Sequence, residues 1–159
     1  MKILFVTLEQ SARENLKVLL NNHYFLSNKD KFYTFGMSDE FLSFKDLTNI
    51  KIKSLMGLVD IIKNLSYLFD LRNSLNSVVK NNNFTHLFFI DSFDFSKFYL
   101  NKYKDKSIKF CQFIGPSVFI WKKNKSKFIN KHFHHIFSIF EMERKFYSKE
   151  KYSYIGHPL

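Results

Sequence analysis

Glycine, proline and cysteine are scarce in this sequence. Its 159 residues include four glycines, two prolines and one cysteine. The single cysteine, Cys111, excludes an internal disulfide, and its apolar neighbours predict that it packs in the core. No apolar run approaches the roughly 18 residues of a membrane-spanning helix. Because 45% of the residues are hydrophobic, we expect one folded globular domain over residues 1–159.

Arginine is also scarce, although the chain is strongly basic. The net charge is +11, yet arginine occurs only at positions 13, 72 and 144. Abundant Lys, Asn, Ile and Phe are typical of A/T-rich codons, so part of this charge reflects genome composition. Arginine is the residue best suited to bidentate phosphate contacts, and its scarcity argues against a nucleic-acid-binding protein. Anionic lipid surfaces and phosphorylated substrates are compatible with the same positive charge.

Strand-like and helix-like segments alternate along the chain. The predicted strands are 2–7, 31–35, 85–90, 107–114, 135–140 and 152–155, so the first residues indicate a strand and not a signal peptide. The predicted helices are 11–22, 58–79 (which a break near Asp70 could divide), 96–104, 124–133 and 142–149. Alternation of this kind, with continuous apolar strands, predicts an α/β fold: a Rossmann-like parallel sheet with helices on both faces.

Two acidic residues follow a buried-looking strand in "HLFFIDSFDF", residues 86–95. In an open parallel sheet the ligand crevice lies beyond the carboxyl ends of the strands. Asp91 stands where strand gives way to loop, so it is predicted to face that crevice. Alternatively, Asp91 caps the next helix or closes an Asx-turn. Asp94 lies two residues before the predicted helix and could simply favour its N-terminus.

The first strand also leads into an acid. Glu9 follows it and is expected to enter the same crevice from a neighbouring position. The next residues, "SARE", form a capping-box pattern in which Ser11 and Glu14 satisfy the first turn of a helix. Both roles can coexist, because a helix N-terminus is also a place where a sugar phosphate can bind.

Six stretches, collinear along the chain, resemble lipid A disaccharide synthase, a glycosyltransferase family of the two-domain GT-B fold. They are "LEQS", "LMGLVDII", "FIDSFDF", "GPSVFIWK", "MERKFY" and "YIGHPL". The resemblance departs from the family pattern in the first loop, where Leu8 replaces the usual Gly and "SAR" replaces "SGD". It implies that residues 1–159 form the Rossmann-like N-terminal domain, which handles the acceptor.

The resemblance implies an inverting transfer of a diacylglucosamine unit from UDP-2,3-diacylglucosamine to 2,3-diacylglucosamine 1-phosphate (lipid X), with release of UDP and without a cofactor. Such a transfer needs one base for the acceptor hydroxyl, and the family's candidate base maps onto Asp91. Glu9 matches an acid of the family's site, while Asp94 would support the loop or bind a substrate hydroxyl. His157, in "GHP", would touch the donor or shape the turn before Pro158.

The loop "GPSVFIWKKNKSK", residues 115–127, has a functional and a plain interpretation. Ser117 and Trp121 could line the acceptor pocket, while Lys122 could attract phosphate or an anionic membrane surface. The plain alternative is a solvated helix start with a buried aromatic. His132 and His135 have a spacing that could bind a metal on a helix, but no further ligand completes the set, so we expect no metal.

The family's second domain binds the UDP-sugar donor, and residues 1–159 hold no counterpart of it. We therefore expect that catalysis needs a donor domain or a second chain. The alternative is a truncated, non-catalytic Rossmann-like module that binds a lipid or sugar phosphate. The expected location is cytoplasmic and peripheral to the inner membrane, since exposed Met56, Leu58 or Phe69 would form an apolar membrane-binding patch. The missing GxGxxG pattern argues against a dinucleotide cofactor.

Overall fold

Seven parallel strands form a single sheet. The computed structural model describes residues 1–37, 43–53, 64–103, 105, 107–116 and 123–156. The strands are β1 (Ile3–Val6), β2 (Phe32–Phe35), β3 (Lys45–Asp46), β4 (His86–Ile90), β5 (Lys109–Phe113), β6 (His135–Ser138) and β7 (Tyr152–Tyr154). Their order in the sheet is β3-β2-β1-β4-β5-β6-β7, and every neighbouring pair is parallel. This order confirms the predicted Rossmann-like α/β fold.

Helices cover both faces of the sheet. They are α1 (Gln10–Leu20), α2 (His23–Ser27), α3 (Leu65–Asn82), α4 (Phe93–Leu100) and α5 (Lys123–His132), with 3-10 turns at Lys29–Lys31, Glu141–Phe146 and Lys149–Lys151. One apolar core joins the sheet to α3, α4 and α5, for example through Leu71, Tyr99 and Ile129. The opposite core joins it to α1 and α2 through Leu16 and Phe25. Each central strand is therefore buried twice, which explains its continuous apolar sequence.

Several predicted boundaries differ from the structure. Helix α3 runs unbroken through Asp70, and α4 begins at Phe93, three residues earlier than the sequence pattern suggests. The segment predicted as a helix near 142–149 is mainly a 3-10 turn. Helix α2 and strand β3 were not predicted; α2 is capped by the Asn22 side chain, which accepts the N–H of Tyr24 at 2.9 Å. Residues 58–63 of the predicted long helix lie outside the described residues.

Aromatic packing fixes α4 against the sheet. Phe89, from β4, is 1% exposed, and its ring centroid lies 5.7 Å from that of Tyr99 on α4. The ring centroids of Phe110 and Phe133 each lie 6.4 Å from that of Phe89. Such aromatic contacts add to the free energy gained from area burial. The strand and the helix on either side of residues 91 and 92 are thus both anchored in the core.

The strand order places a topological switch point between β1 and β4. From β1 the chain builds outward to β2 and β3, and then returns to β4 and builds in the other direction. In open α/β sheets the ligand crevice lies at this point, outside the carboxyl ends of the strands. Residues that follow β1 and β4 are therefore the natural candidates for a site. Among the described helices, none is long and apolar enough to cross a membrane.

Candidate functional site

The turn from β4 to α4 has an unusual backbone. Asp91 and Ser92 have φ angles of 54° and 45°, so two successive non-glycine residues are left-handed. Residues held in this region cluster at functional sites. The Asp91 side chain is half-buried, and burial raises its pKa, while a hydrogen bond from the Ser92 backbone N–H partly offsets that rise. No described cation forms a salt bridge with it.

Neighbouring strand β5 holds this turn in place. The Asp91 N–H donates to the Phe113 carbonyl oxygen at 2.8 Å. The Gln112 amide Nε2 donates to the Asp91 carbonyl oxygen at 2.6 Å and reaches the Ile114 carbonyl oxygen at 3.4 Å. Its Oε1 accepts from the Ser96 Oγ at 3.1 Å, and both Gln112 and Ser96 are 0% exposed. Both the N–H and the carbonyl oxygen of Asp91 are therefore held by β5.

Glu9 meets the same turn from β1. It is the N-cap residue of α1 but makes no side-chain cap hydrogen bond. Instead its Oε1 accepts from the Ser92 Oγ at 3.2 Å. The pKa of Glu9 is raised first by burial, and then by the charges of Asp91 and Asp94, while the bond from Ser92 lowers it. The predicted meeting of Glu9 and Asp91 at one edge of the sheet is what the structure shows.

Asp94 is more exposed than the other two acids. It lies in the first turn of α4, where a carboxylate interacts favourably with the helix dipole. Its Oδ1 is 3.9 Å from the Lys125 Nζ, and that ammonium also lies 5.2 Å from the centroid of the Phe93 ring. Asp94 was predicted to lie before the helix; it lies inside the helix, with a cation beside it.

The predicted capping box at Ser11 is not formed. Because α1 begins at Gln10, Ser11 is an exposed residue inside the helix and Glu9 occupies the cap position. Glu14 therefore does not reach back to Ser11; it accepts from the Gln10 Nε2 at 2.9 Å and pairs with the Lys17 Nζ at 3.2 Å. The helix starts two residues too early for Ser11 to act as its cap.

Four predicted site residues, Ser117, Trp121, Lys122 and His157, lie outside the described residues, as do Met56 and Leu58 of the predicted membrane patch. The two histidines considered as metal ligands lie on different elements. His132 ends α5 and stacks on Phe128 with a 4.3 Å centroid distance, while His135 opens β6 and pairs with the Ser153 Oγ at 2.9 Å. Within the described part of the chain, no group of His, Cys, Asp and Glu could hold a metal ion.

Two residues of this site, Ser92 and Gln112, were not predicted from the sequence. Ser92 links Glu9 to the turn, and its signal was its position between the two acids of "DSFD". Gln112 holds the Asp91 carbonyl oxygen. Its signal was stronger, because a glutamine inside the apolar strand "KFCQF" must find hydrogen-bond partners when buried.

Comparison with known proteins gives a consistent result. The model of the lipid-A-disaccharide synthetase family matches residues 3–159. A lipid-A-disaccharide synthase of Acinetobacter baylyi is 28% identical over 110 residues, which cover 67% of this chain and 28% of that protein. A lipid-A-disaccharide synthase of Haemophilus influenzae (strain PittGG) is 29% identical over 117 residues, which cover 72% of this chain and 30% of that protein. A lipid-A-disaccharide synthase of Helicobacter acinonychis is 31% identical over 106 residues, which cover 67% of this chain and 29% of that protein.

In each of these relatives the match covers less than a third of the protein's length. The match of the family model, by contrast, extends over nearly the whole of this chain, from the first strand to the last residue. It includes the β1–α1 turn that carries Glu9 and the β4–α4 turn that carries Asp91. The chain belongs to the lipid-A-disaccharide synthetase family.

Proposed function

We propose that this chain is the acceptor-side domain of a lipid A disaccharide synthase. The reaction is the inverting transfer of diacylglucosamine from UDP-2,3-diacylglucosamine to lipid X, with release of UDP. Two observations support it: the family match over residues 3–159 and the half-buried carboxyl of Asp91 at the switch point of the sheet. The second is the observation that carries the catalytic assignment.

In this proposal Asp91 is the general base. The acceptor's sugar hydroxyl gives its proton to the Asp91 carboxylate while its oxygen attacks the anomeric carbon of the donor. The bond from that carbon to the UDP oxygen breaks, and UDP leaves with the electron pair. A raised pKa suits a carboxylate to this task, because a base works best when its pKa approaches the working pH. The fixed turn keeps the carboxylate in place without reorganisation.

The other predicted residues take supporting roles. Glu9 holds the turn through Ser92, and Asp94, exposed beside Lys125, is available for a substrate hydroxyl. Ser11, exposed in the first turn of α1, would be near an anionic group at that helix end. For Ser117, Trp121 and Lys122 we propose acceptor contacts, and for His157 a donor contact. A donor domain or second chain would bind the UDP-sugar across the crevice.

The decisive experiment supplies this chain with a donor half and follows UDP release from the two substrates. Asp91→Asn should lower kcat by roughly 10²–10⁴-fold, the usual contribution of a general base, with little change in KM. Asp94→Asn, which removes a neighbouring carboxylate of α4, is the matched control and should cost much less. Retained turnover in Asp91→Asn would refute the base. No turnover in the unaltered pair would favour the non-catalytic binding module.

We also propose that the domain rests on the cytoplasmic face of the inner membrane. Leu65 and Phe69, at the start of α3, are 50% and 44% exposed. The Arg72 guanidinium lies 5.0 Å from the centroid of the Phe69 ring, so an apolar surface and a cation occur together, as at many membrane-binding surfaces. Because α3 precedes β4, its first turns lie towards the carboxyl edge of the sheet, on the same side as Asp91.

Sedimentation with anionic vesicles tests this membrane contact. Phe69→Glu should abolish binding that the unaltered chain shows at low salt, because it places a charge in the apolar patch. Tyr154→Glu, at another exposed aromatic (52%) on β7, should bind like the unaltered chain. Equal losses in both variants would indicate a general charge effect and contradict a specific surface.

A further inference from the structure

A polar depression of about 460 Å³ lies beyond the carboxyl ends of β2 and β3. Its polar lining includes Arg13 from α1 and Asp46, Asn49 and Lys51 from the chain around β3. We propose that this depression binds the phosphate of a phosphorylated hexosamine, the acceptor class of the proposed function on which this inference rests. It would therefore be the anion subsite next to the acids.

Arg13 is positioned to receive an anion. Its side chain is half-buried, and its Nε donates to the Gly36 carbonyl oxygen at 2.8 Å while its Nη1 reaches the Gln10 Oε1 at 3.4 Å. A guanidinium carries five N–H donors, so these two contacts leave donors that can face the depression. Lys51 adds a second, exposed cation to the same lining. Arginine fits a phosphate through paired hydrogen bonds, whereas lysine contributes mainly its charge.

The walls of the depression are fixed by hydrogen bonds. The Leu47 N–H donates to the Thr34 carbonyl oxygen at 2.8 Å, and the Gly36 N–H donates to the Thr48 Oγ1 at 2.7 Å. Further along, the Lys53 N–H donates to the Tyr67 hydroxyl at 2.8 Å. The segment between β3 and residue 53 therefore keeps its shape without regular secondary structure. A preformed site loses less entropy when a ligand binds.

Arg13, which lines the depression, follows Glu9 by one helical turn in the chain. The backbone N–H of Arg13 donates to the Glu9 carbonyl oxygen at 3.1 Å, which closes the first turn of α1. Glu9 in turn contacts Ser92, which is next to Asp91. In this proposal the acceptor's hydroxyl lies near Asp91 and its phosphate near Arg13.

Neutralising Asp46 should change phosphate binding in the direction opposite to that expected for Arg13 and Lys51. Its Oδ1 accepts from the Thr34 Oγ1 at 2.8 Å, and its Oδ2 is 3.4 Å from the Thr48 nitrogen. The carboxylate can accept a sugar hydroxyl, but its charge repels a phosphate in the same depression. Neutralising Asp46 should therefore strengthen the binding of phosphate, whereas neutralising Arg13 or Lys51 should weaken it.

The experiment titrates this chain with glucosamine 1-phosphate and follows backbone amide NMR signals. N-acetylglucosamine and inorganic phosphate are the comparison ligands. Glucosamine 1-phosphate should shift the signals of Arg13, Gly36 and residues 46–51 and bind more tightly than either comparison ligand. Arg13→Gln should weaken it about tenfold, as expected for a charge-assisted hydrogen bond, and Lys51→Gln about threefold. Asp46→Asn should tighten it.

Three results would overturn the assignment. They are unchanged affinity in both Arg13→Gln and Lys51→Gln, equally tight binding of N-acetylglucosamine, and equally tight binding of inorganic phosphate. Lys51 is exposed, so its variant keeps the test valid even if Arg13→Gln unfolds. The proposed function fails separately: the phosphate can bind here while the reconstituted pair shows no transfer, and transfer can proceed with an unaltered KM in Arg13→Gln.

Discussion

The two edges of the sheet differ in the burial of their acids and in backbone geometry. The carboxyl edge carries Glu9, Asp91 and Asp94, and burial raises the pKa of the first two. The amino edge carries cations around a depression of about 520 Å³, including Lys109 and Lys151. One of these has a structural partner: the Lys151 Nζ donates to the carbonyl oxygens of Asn130 and Phe133 at 2.6 and 3.1 Å, at the end of α5.

Backbone strain separates the edges further. Among the described residues, four non-glycine residues have positive φ, and three of them, Asp91, Ser92 and Ile114, directly follow β4 or β5. Ile114 is the most unusual, because a β-branched side chain is strongly disfavoured in this region. The fourth, Asn83, simply ends α3, where asparagine is common. Strain therefore concentrates where the ligand crevice is expected, which is how strain at a functional site is usually distributed.

The largest expected effect comes from Gly36, at the carboxyl end of β2. Its φ is 95°, and an added Cβ would overlap the carbonyl oxygen of Thr7. Gly36→Ala should therefore destabilise the fold by more than about 3 kcal/mol, measured by urea unfolding. Gly156→Ala is the control, since its φ of 72° is also positive but nothing lies within 4 Å. It should cost about 1 kcal/mol. Similar losses of unfolding free energy in both variants would show that the positive φ alone causes the destabilisation, and that crowding against Thr7 does not contribute.

The next effect concerns Gln112. Gln112→Met keeps the volume but leaves the Asp91 carbonyl oxygen and the Ser96 hydroxyl without this partner, at a cost of about 1–3 kcal/mol in unfolding free energy. It should also lower kcat in the reconstituted pair, because the turn that positions Asp91 loosens. Ser96→Ala is the control, since it leaves the bond from Gln112 to Asp91 in place and should retain most of the activity. Equal losses of kcat would mean that Gln112 acts only through stability.

The smallest effect is a gain in stability. A folded-state pKa above the unfolded value means that ionised Asp91 opposes folding, so this penalty is present at neutral pH and disappears as pH falls through the folded pKa towards 3.8. Asp91→Asn, whose amide tolerates left-handed φ, should gain about 0.5–1 kcal/mol at pH 7 and nothing at pH 3. It should also lower the pKa of Glu9, measured by carboxyl ¹³C NMR, because a neighbouring charge is removed. An unchanged Glu9 pKa would contradict the coupling of the two acids.

The sequence predicts the fold better than the site. Long apolar strands such as β4 are determined by burial on both faces, so their positions could be found to within two residues. Parallel pairing then required Glu9 and Asp91 to meet at one edge. The start of α1 could not be predicted, because Ser11 is a preferred N-cap residue and Glu9 is not, yet Glu9 occupies the cap position and its side chain contacts Ser92. Gln112 could not be assigned a role, because its partners are distant in sequence.

The outer strands of the sheet have a consequence for how copies of this protein meet. Strand β3 has two residues, Lys45 and Asp46, and strand β7 has three. A margin this short presents few unpaired main-chain groups to another molecule, and the charged pair on one side discourages a neighbour from adding its own strand. The short outer strands therefore make it unfavourable for the sheets of separate molecules to join edge to edge.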